Sequence, residues 1–270
     1  MNPLLHPPGH SEESEKLYEN LESMYRVVHR KLDEKGISPE SMGCSLQPRK
    51  TELPLVSINR LRLPGDLTRE LLYSVTDELK RALECEDEID QLLHQAELDQ
   101  TRASEFVISQ LIGNGTAEYT SAELLHLVAV LTVRPFLSWL SEHVNAHKAH
   151  PDSWLQGNCP FCGTVPVLGR ISAEDGRLLL WCWLCATEWR FPRMACPYCN
   201  GSAADGQLFF TVRDTPYRVE LCKNCSRYLK ILDERRLPEH EEIALSWIMN
   251  DLLTHHLDVL AWKEGYISPS

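Results

Sequence analysis

Residues 159–191 read CPFCGTVPVLGRISAEDGRLLLWCWLCATEWRF, and residues 196–230 read CPYCNGSAADGQLFFTVRDTPYRVELCKNCSRYLK. The second stretch repeats the first. Cys159-Pro160-Phe161-Cys162-Gly163 returns as Cys196-Pro197-Tyr198-Cys199-Asn200, and each copy ends in a second pair, Cys182/Cys185 and Cys222/Cys225. Two cysteines separated by two residues can wrap a tight turn that aims both thiolates at one ion. A hairpin of about twenty residues then brings back a second pair to complete a tetrahedron. Buried apolar thiols have no reason to recur as pairs at duplicated spacing, so the pattern points to metal. Four thiolates leave no open coordination position and activate no water. The duplication favours the sequential assignment: Cys159, Cys162, Cys182 and Cys185 for one ion, Cys196, Cys199, Cys222 and Cys225 for the other. A crossed arrangement, first pair with third and second with fourth, stays open. Zinc and iron both accept this donor set.

Between the cysteine pairs the chain predicts hairpins. Val165–Ile171 can pair with Leu178–Trp181 across Glu174-Asp175-Gly176, and Gln207–Val212 with Tyr217–Leu221 across Asp214-Thr215-Pro216. Trp189-Arg190-Phe191 and Tyr228-Leu229-Lys230 stand at matching offsets as third strands. Aromatic residues crowd the module. Trp181 and Trp183, if extended, point to one face, and packing around the centres is their expected role.

On either side the texture is helical. Leu17, Leu21, Met24, Val28 and Leu32 recur at three- and four-residue steps after Ser11, with Gly36 as a stop. A loop is expected over 37–64. Asp66 then caps a helix with Leu67, Leu71, Val75, Leu79 and Leu83 on its apolar side, and Ile89, Leu92, Leu93 and Ala96 carry that face onward. A shorter helix around 104–112 ends at Gly113-Asn114-Gly115. Ser121 opens an apolar helix to Leu140 that Pro135 should kink. These stripes read as core packing of a bundle. His143, His147 and His150 read as solvated histidines near a helix end, and Cys44 and Cys85 as packing residues. After Pro238 one helix is expected, with Ile243, Trp247, Ile248, Leu252, Leu253, Leu257 and Leu260 inward and Gly265 as terminator. The fold class is therefore α+β: an amino-terminal all-α helical bundle, two tandem four-cysteine modules and a carboxy-terminal helix. The expected boundaries are 1–155, 156–194, 195–236 and 237–270, the last packing back on the body.

Composition narrows the function. No apolar run is expected to reach the roughly 20 residues of a membrane span, and Met1–Pro8 lacks the charged and apolar blocks of a secretory leader, which together read as a cytoplasmic protein. Eight of the ten cysteines fall within 67 residues, a density that in a reducing compartment signals metal rather than disulfides. The net charge is −12, yet 155–236 holds 11 Lys+Arg against 8 Asp+Glu, a net of +3 that leaves −15 elsewhere. An acidic body with a mildly basic module suits a protein partner, and no dense basic stripe suggests nucleic acid. No nucleophile elbow, phosphate-cradling glycine loop, His-Glu-x-x-His run or dinucleotide fingerprint is present, so no enzymatic activity is expected.

Three runs resemble the FdhE family, accessory proteins for formate dehydrogenase: Cys159-Pro160-x-Cys162-Gly163, Cys182-x-Leu184-Cys185-x-Thr187-Glu188-Trp189, and Cys222-x-x-Cys225-x-x-Tyr228-Leu229-Lys230. The closing run His256-Leu257-Asp258-x-Leu260-x-x-x-x-Gly265-Tyr266 is similar to the family's final helix. The similarity covers 157–232 and that helix, while Asp233–Glu242 and the helical half depart from it. The resemblance implies rubredoxin-like modules, with iron as the usual metal and the eight cysteines as ligands. It also implies a cytoplasmic, non-catalytic assembly factor or chaperone that contacts the catalytic subunit of formate dehydrogenase, or of a related molybdenum or tungsten oxidoreductase. The alternatives are a rubredoxin-like electron carrier and a zinc-ribbon nucleic-acid binder.

Overall fold

The computed structural model describes residues 12–44, 53–83, 89–90, 93, 100–112, 119–144, 154–202, 207–211, 215–237 and 247–267. His147, His150, Cys85 and the Gly113–Gly115 turn lie outside them. The chain divides into two compact units, one spanning 11–145 and the other containing 146–270.

The first unit is helical: α1 (Glu12–Glu34), α2 (Gly65–Leu83), α3 (Gln100–Leu111) and α4 (Tyr119–His143). The α1 stripe buries Tyr18, Leu21, Tyr25, Val28 and Leu32, and α2 answers with Leu67, Leu71, Leu72, Val75 and Leu79. Gly36 ends α1 with φ of +61°, a conformation that costs glycine nothing. The core of the unit is α4, which buries Val133, Phe136, Leu137, Trp139 and Leu140. It continues through Pro135, whose carbonyl accepts from His29 Nε2 at 2.9 Å. Trp139 Nε1 donates to Asp33 Oδ1 at 2.8 Å and ties α4 to α1, and His143, stacked on Trp139, lies 3.3 Å from the same carboxylate. Leu124–His143 is long and apolar enough to cross a membrane, which corrects the expectation that no run comes close. Its composition follows from its position, since 72% of that window is buried against the other helices.

The second unit is built on one six-stranded sheet: β1 (Leu168–Ile171), β2 (Leu178–Trp181), β3 (Glu188–Phe191), β4 (Gln207–Thr211), β5 (Tyr217–Cys222) and β6 (Arg227–Asp233), in the order β3-β2-β1-β6-β5-β4. Each cysteine module is a three-stranded antiparallel meander, as its hairpin signals predicted. Gly176, at φ +68°, closes the first turn. The two meanders join through β1 and β6, which pair in parallel with Leu168 opposite Lys230 and Ile171 opposite Asp233. They run in the same sense along the sheet, so the duplication is translational. Two close approaches lock the junction. A Cβ on Gly157 would sit 1.7 Å from the Pro197 carbonyl oxygen, and Tyr198 donates to the Pro166 carbonyl at 3.0 Å.

Beyond the sheet the chain forms two helices rather than one: α5 (Trp247–Leu253) and α6 (His255–Lys263). Thr254 separates them, its hydroxyl donating back to the Asn250 carbonyl at 2.7 Å, a bond that competes with the helical ladder. The interruption resets the inward face. Leu253, Leu257 and Ala261 are buried, whereas Leu252 and Leu260, expected inward, face solvent. Leu257 and Ala261 pack on Tyr217, Val219, Leu221, Tyr228 and Leu232 of the second meander. Lys230, 3% exposed, reaches from the same face to Asp258 Oδ2 at 2.8 Å and to Asp251 Oδ1 at 2.6 Å, and Tyr228 donates to Asp258 Oδ1 at 2.9 Å. The Tyr-Leu-Lys and His-Leu-Asp runs, 28 residues apart from Lys230 to Asp258, therefore meet in one polar clasp. Tyr217 donates to Asn250 Oδ1 at 2.6 Å, and burial pushes its phenol up to about 12, so it stays a donor at ordinary pH. A backbone bond from Ile267 N to the Ser226 carbonyl, 2.8 Å, fixes the end of the described chain beside Cys225.

Candidate metal centres

The four knuckles share one backbone. In each, the residue after the second cysteine donates its N–H to the carbonyl of the first: Gly163 to Cys159, Ala186 to Cys182, Asn200 to Cys196 and Ser226 to Cys222, all at 2.9 Å. That residue takes positive φ every time, +81°, +61°, +54° and +55° respectively. Glycine and asparagine accept this conformation readily, while Ala186 and Ser226 adopt it against their own preference. A turn held against local preference needs support from outside, and convergence of the sulfurs on one point supplies a reason for it. Trp183 and Leu184 lie inside the second knuckle's turn, so Trp183 does not extend the β2 face with Trp181 as the sequence suggested. Trp181 itself is buried.

The turns bring the eight sulfurs into two groups. Cys159, Cys162, Cys182 and Cys185 form one, and Cys196, Cys199, Cys222 and Cys225 the other, with every sulfur of a group within 4.8 Å of the rest. Sequential pairs are thus together and crossed pairs are not. Across the first group Cys159 and Cys185 lie 3.5 Å apart and Cys162 and Cys182 3.4 Å; across the second, Cys196–Cys225 and Cys199–Cys222 both lie at 3.7 Å. Sulfurs about 2.3 Å from a central ion in a tetrahedron are roughly 3.8 Å from one another. The groups fit an ion without rearrangement, and disulfides, at about 2.05 Å, are not formed.

Electrostatics point the same way. Burial pushes the Cys159 and Cys185 thiols well above the ordinary thiol range. Burial also acts upward on Cys199, but the Asn224 amide and the Gly201 N–H, both aimed at its sulfur, bring it down to about 7. The backbone N–H of Phe161 points at Cys159 Sγ from 3.4 Å. Donors aimed at clustered, buried sulfurs suit thiolates around a cation, which removes the cost of crowding negative charge. Each group can bind one metal ion. Neither His143 nor Cys44 joins a group; Cys44 is buried in the helical unit.

A model of the FdhE central domain matches residues 158–193, the whole first centre and its three strands. Protein FdhE of Escherichia coli is 35% identical over 117 residues, and an FdhE homolog of Aquifex aeolicus is 28% identical over 169 residues. Over these stretches the chain is similar to proteins of the FdhE family. The E. coli match covers 42% of this chain and 35% of the relative; the A. aeolicus match covers 60% and 54%. The chain thus spans about a third to a half of those family members. A crystal structure of the FdhE protein from Pseudomonas aeruginosa superposes with a TM-score of 0.59 at 18% identity, over 99% of this chain and 94% of that one. The chain therefore shares the fold of that solved structure.

Proposed function

We propose that this chain is a non-catalytic accessory protein for formate dehydrogenase. It acts in the cytoplasm, where it contacts the catalytic subunit of that enzyme, or of a related molybdenum or tungsten oxidoreductase, during maturation. Cys159, Cys162, Cys182 and Cys185 hold one ion and Cys196, Cys199, Cys222 and Cys225 a second, with iron favoured over zinc. The carrying observation is the pair of closed sulfur tetrads, the first of them inside the stretch that matches the family model. A four-thiolate site has no vacant position for a substrate or an activated water, which suits a staple or a redox group better than hydrolysis.

When bound, each ion supplies the positive charge that lets four crowded sulfurs ionise together, and iron would add one-electron chemistry. The polypeptide does the rest. The knuckle N–H groups orient the sulfurs, the Pro197–Gly157 contact fixes one centre against the other, and the Lys230 clasp holds α6 over the second meander. The test is deletion of the gene followed by assay of formate oxidation in extracts. Lost activity with the dehydrogenase polypeptide still present supports the accessory role, and full activity with no second family member in the genome refutes it. The half-exposure of Cys199 and Cys225 favours one further reading, an electron carrier. A colourless protein that carries two zinc ions when purified from its own host disposes of that.

A further inference from the structure

The duplicated knuckles allow the two centres to be compared position by position. Two residues after the outer cysteine of each knuckle, they differ. In the first centre both positions are threonine. Thr164 Oγ1 lies 3.2 Å from Cys162 Sγ, and Thr187 Oγ1 lies 3.1 Å from Cys185 Sγ. In the second centre the same positions are Gly201 and Arg227, and neither carries a hydroxyl. The side-chain donor found there is Asn224 Nδ2, 3.3 Å from Cys199 Sγ. A Cβ on Gly201 would lie 3.2 Å from that sulfur, so the glycine leaves its flank clear. Exposure differs in the same sense. All four cysteines of the first centre are buried, whereas Cys199 and Cys225 of the second are half-exposed.

We propose that the two centres are unequal: the first holds a locked structural ion, and the second is the exchangeable one, through which metal enters and leaves the folded chain. The proposal rests on the eight cysteines being ligands. Substitution at a four-sulfur ion begins when one sulfur swings away and an outside ligand takes its place. At the first centre the outer sulfurs, Cys162 and Cys185, must also give up a hydroxyl bond, and all four cysteines are buried. At the second centre Cys199 and Cys225 are half-exposed residues, and the side-chain bond to be given up comes from the exposed Asn224 amide. Hydrogen bonds to ligand atoms commonly govern how tightly a metal is held, with losses of about 10- to 100-fold when they are removed.

The test uses the full-length chain loaded with two equivalents of zinc and mixed with excess 4-(2-pyridylazo)resorcinol. Release is followed by absorbance, and iodoacetamide added during the reaction is mapped by peptide mass spectrometry. Two phases of equal amplitude are expected, at least about 10-fold apart in rate. In the fast phase alkylation should fall on Cys196, Cys199, Cys222 and Cys225 while the first centre stays protected. Thr164→Val and Thr187→Val should speed the slow phase and leave the fast one unchanged. A single phase for both ions overturns the proposal while leaving the ligand assignment intact, and so does early labelling of Cys159–Cys185. A chain that takes up no zinc instead refutes the assignment on which the proposal stands. The unsubstituted chain decides these outcomes, so they hold even if a valine variant folds poorly.

Discussion

Replacing Lys230 by methionine should release α6 from the sheet without removing metal. The Lys230 side chain is 3% exposed and its ammonium faces two carboxylates, Asp258 with a side chain at 14% exposure and Asp251 at 36%. Methionine keeps most of the buried stem and removes the charge. Asp251 can turn to water, so the uncompensated charge is that of Asp258. Breaking one side of a buried pair costs about 3–5 kcal/mol. Asp258 keeps the Tyr228 hydroxyl at 2.9 Å and the exposed His255 at 3.4 Å, which places the loss near about 3 kcal/mol. At 1.4 kcal/mol per tenfold, helix opening should rise roughly a hundredfold. Hydrogen exchange by mass spectrometry reads this directly: amides of 255–263 should exchange about two decades faster, while those of α4 do not change. Adding Asp258→Asn should recover most of the loss, because the neutral amide needs no counter-charge and can still accept from Tyr228. Unchanged protection in Lys230→Met, or no recovery in the double variant, refutes the clasp as the element that docks this helix.

Other perturbations have equally definite outcomes. Cys182→Ser should cost one of two bound ions and unfold the sheet around the first centre, leaving the helical unit's circular dichroism in place; full metal content would contradict the sequential grouping. Gly157→Ala forces a methyl into the Pro197 carbonyl and should lower stability by about 1–3 kcal/mol in denaturant titration. Leu257→Ala should cost about 2–5 kcal/mol, since Leu257 is fully buried among Tyr217, Val219 and Leu221. Burial alone would raise the Asp233 carboxyl, yet Arg235 and Arg218 hold it below the ordinary carboxylate range. A depressed carboxylate adds stability above its unfolded pKa and loses it as pH falls through the folded one. Asp233→Asn should therefore flatten the pH dependence of unfolding free energy below about pH 5.

The metal modules were legible because their determinants are local. Knuckle spacing, the Glu174-Asp175-Gly176 turn and the alternating strands all lie within about thirty residues, and β2 begins and ends where the pattern places it. The β1–β6 pairing was not legible. It joins residues 62 apart, Leu168 and Lys230, and nothing near either strand specifies a parallel neighbour. Left-handed Ala186 and Ser226 were likewise silent, since only Gly163 and Asn200 are residue types that announce positive φ. The hydroxyls of Thr164 and Thr187 could have been found, because both stand two residues past an outer cysteine and have no counterpart in the second copy. The split of the last helix at Thr254 escaped because a threonine is compatible with a continuous apolar stripe. Only the phase shift, with Leu252 and Leu260 turned outward, reveals it. Likewise α4 reads as apolar all round because it is the core helix of its unit.

Native mass spectrometry of the 270-residue chain, purified without oxygen and measured before and after chelation, decides whether the sulfur tetrads hold metal. Two metal ions per chain are expected, with no mass loss from disulfides. Stripping both ions should melt the sheet-bearing unit while the helical unit keeps its signal. A folded sheet in a metal-free chain, or cysteines joined in pairs with the sheet intact, would contradict this.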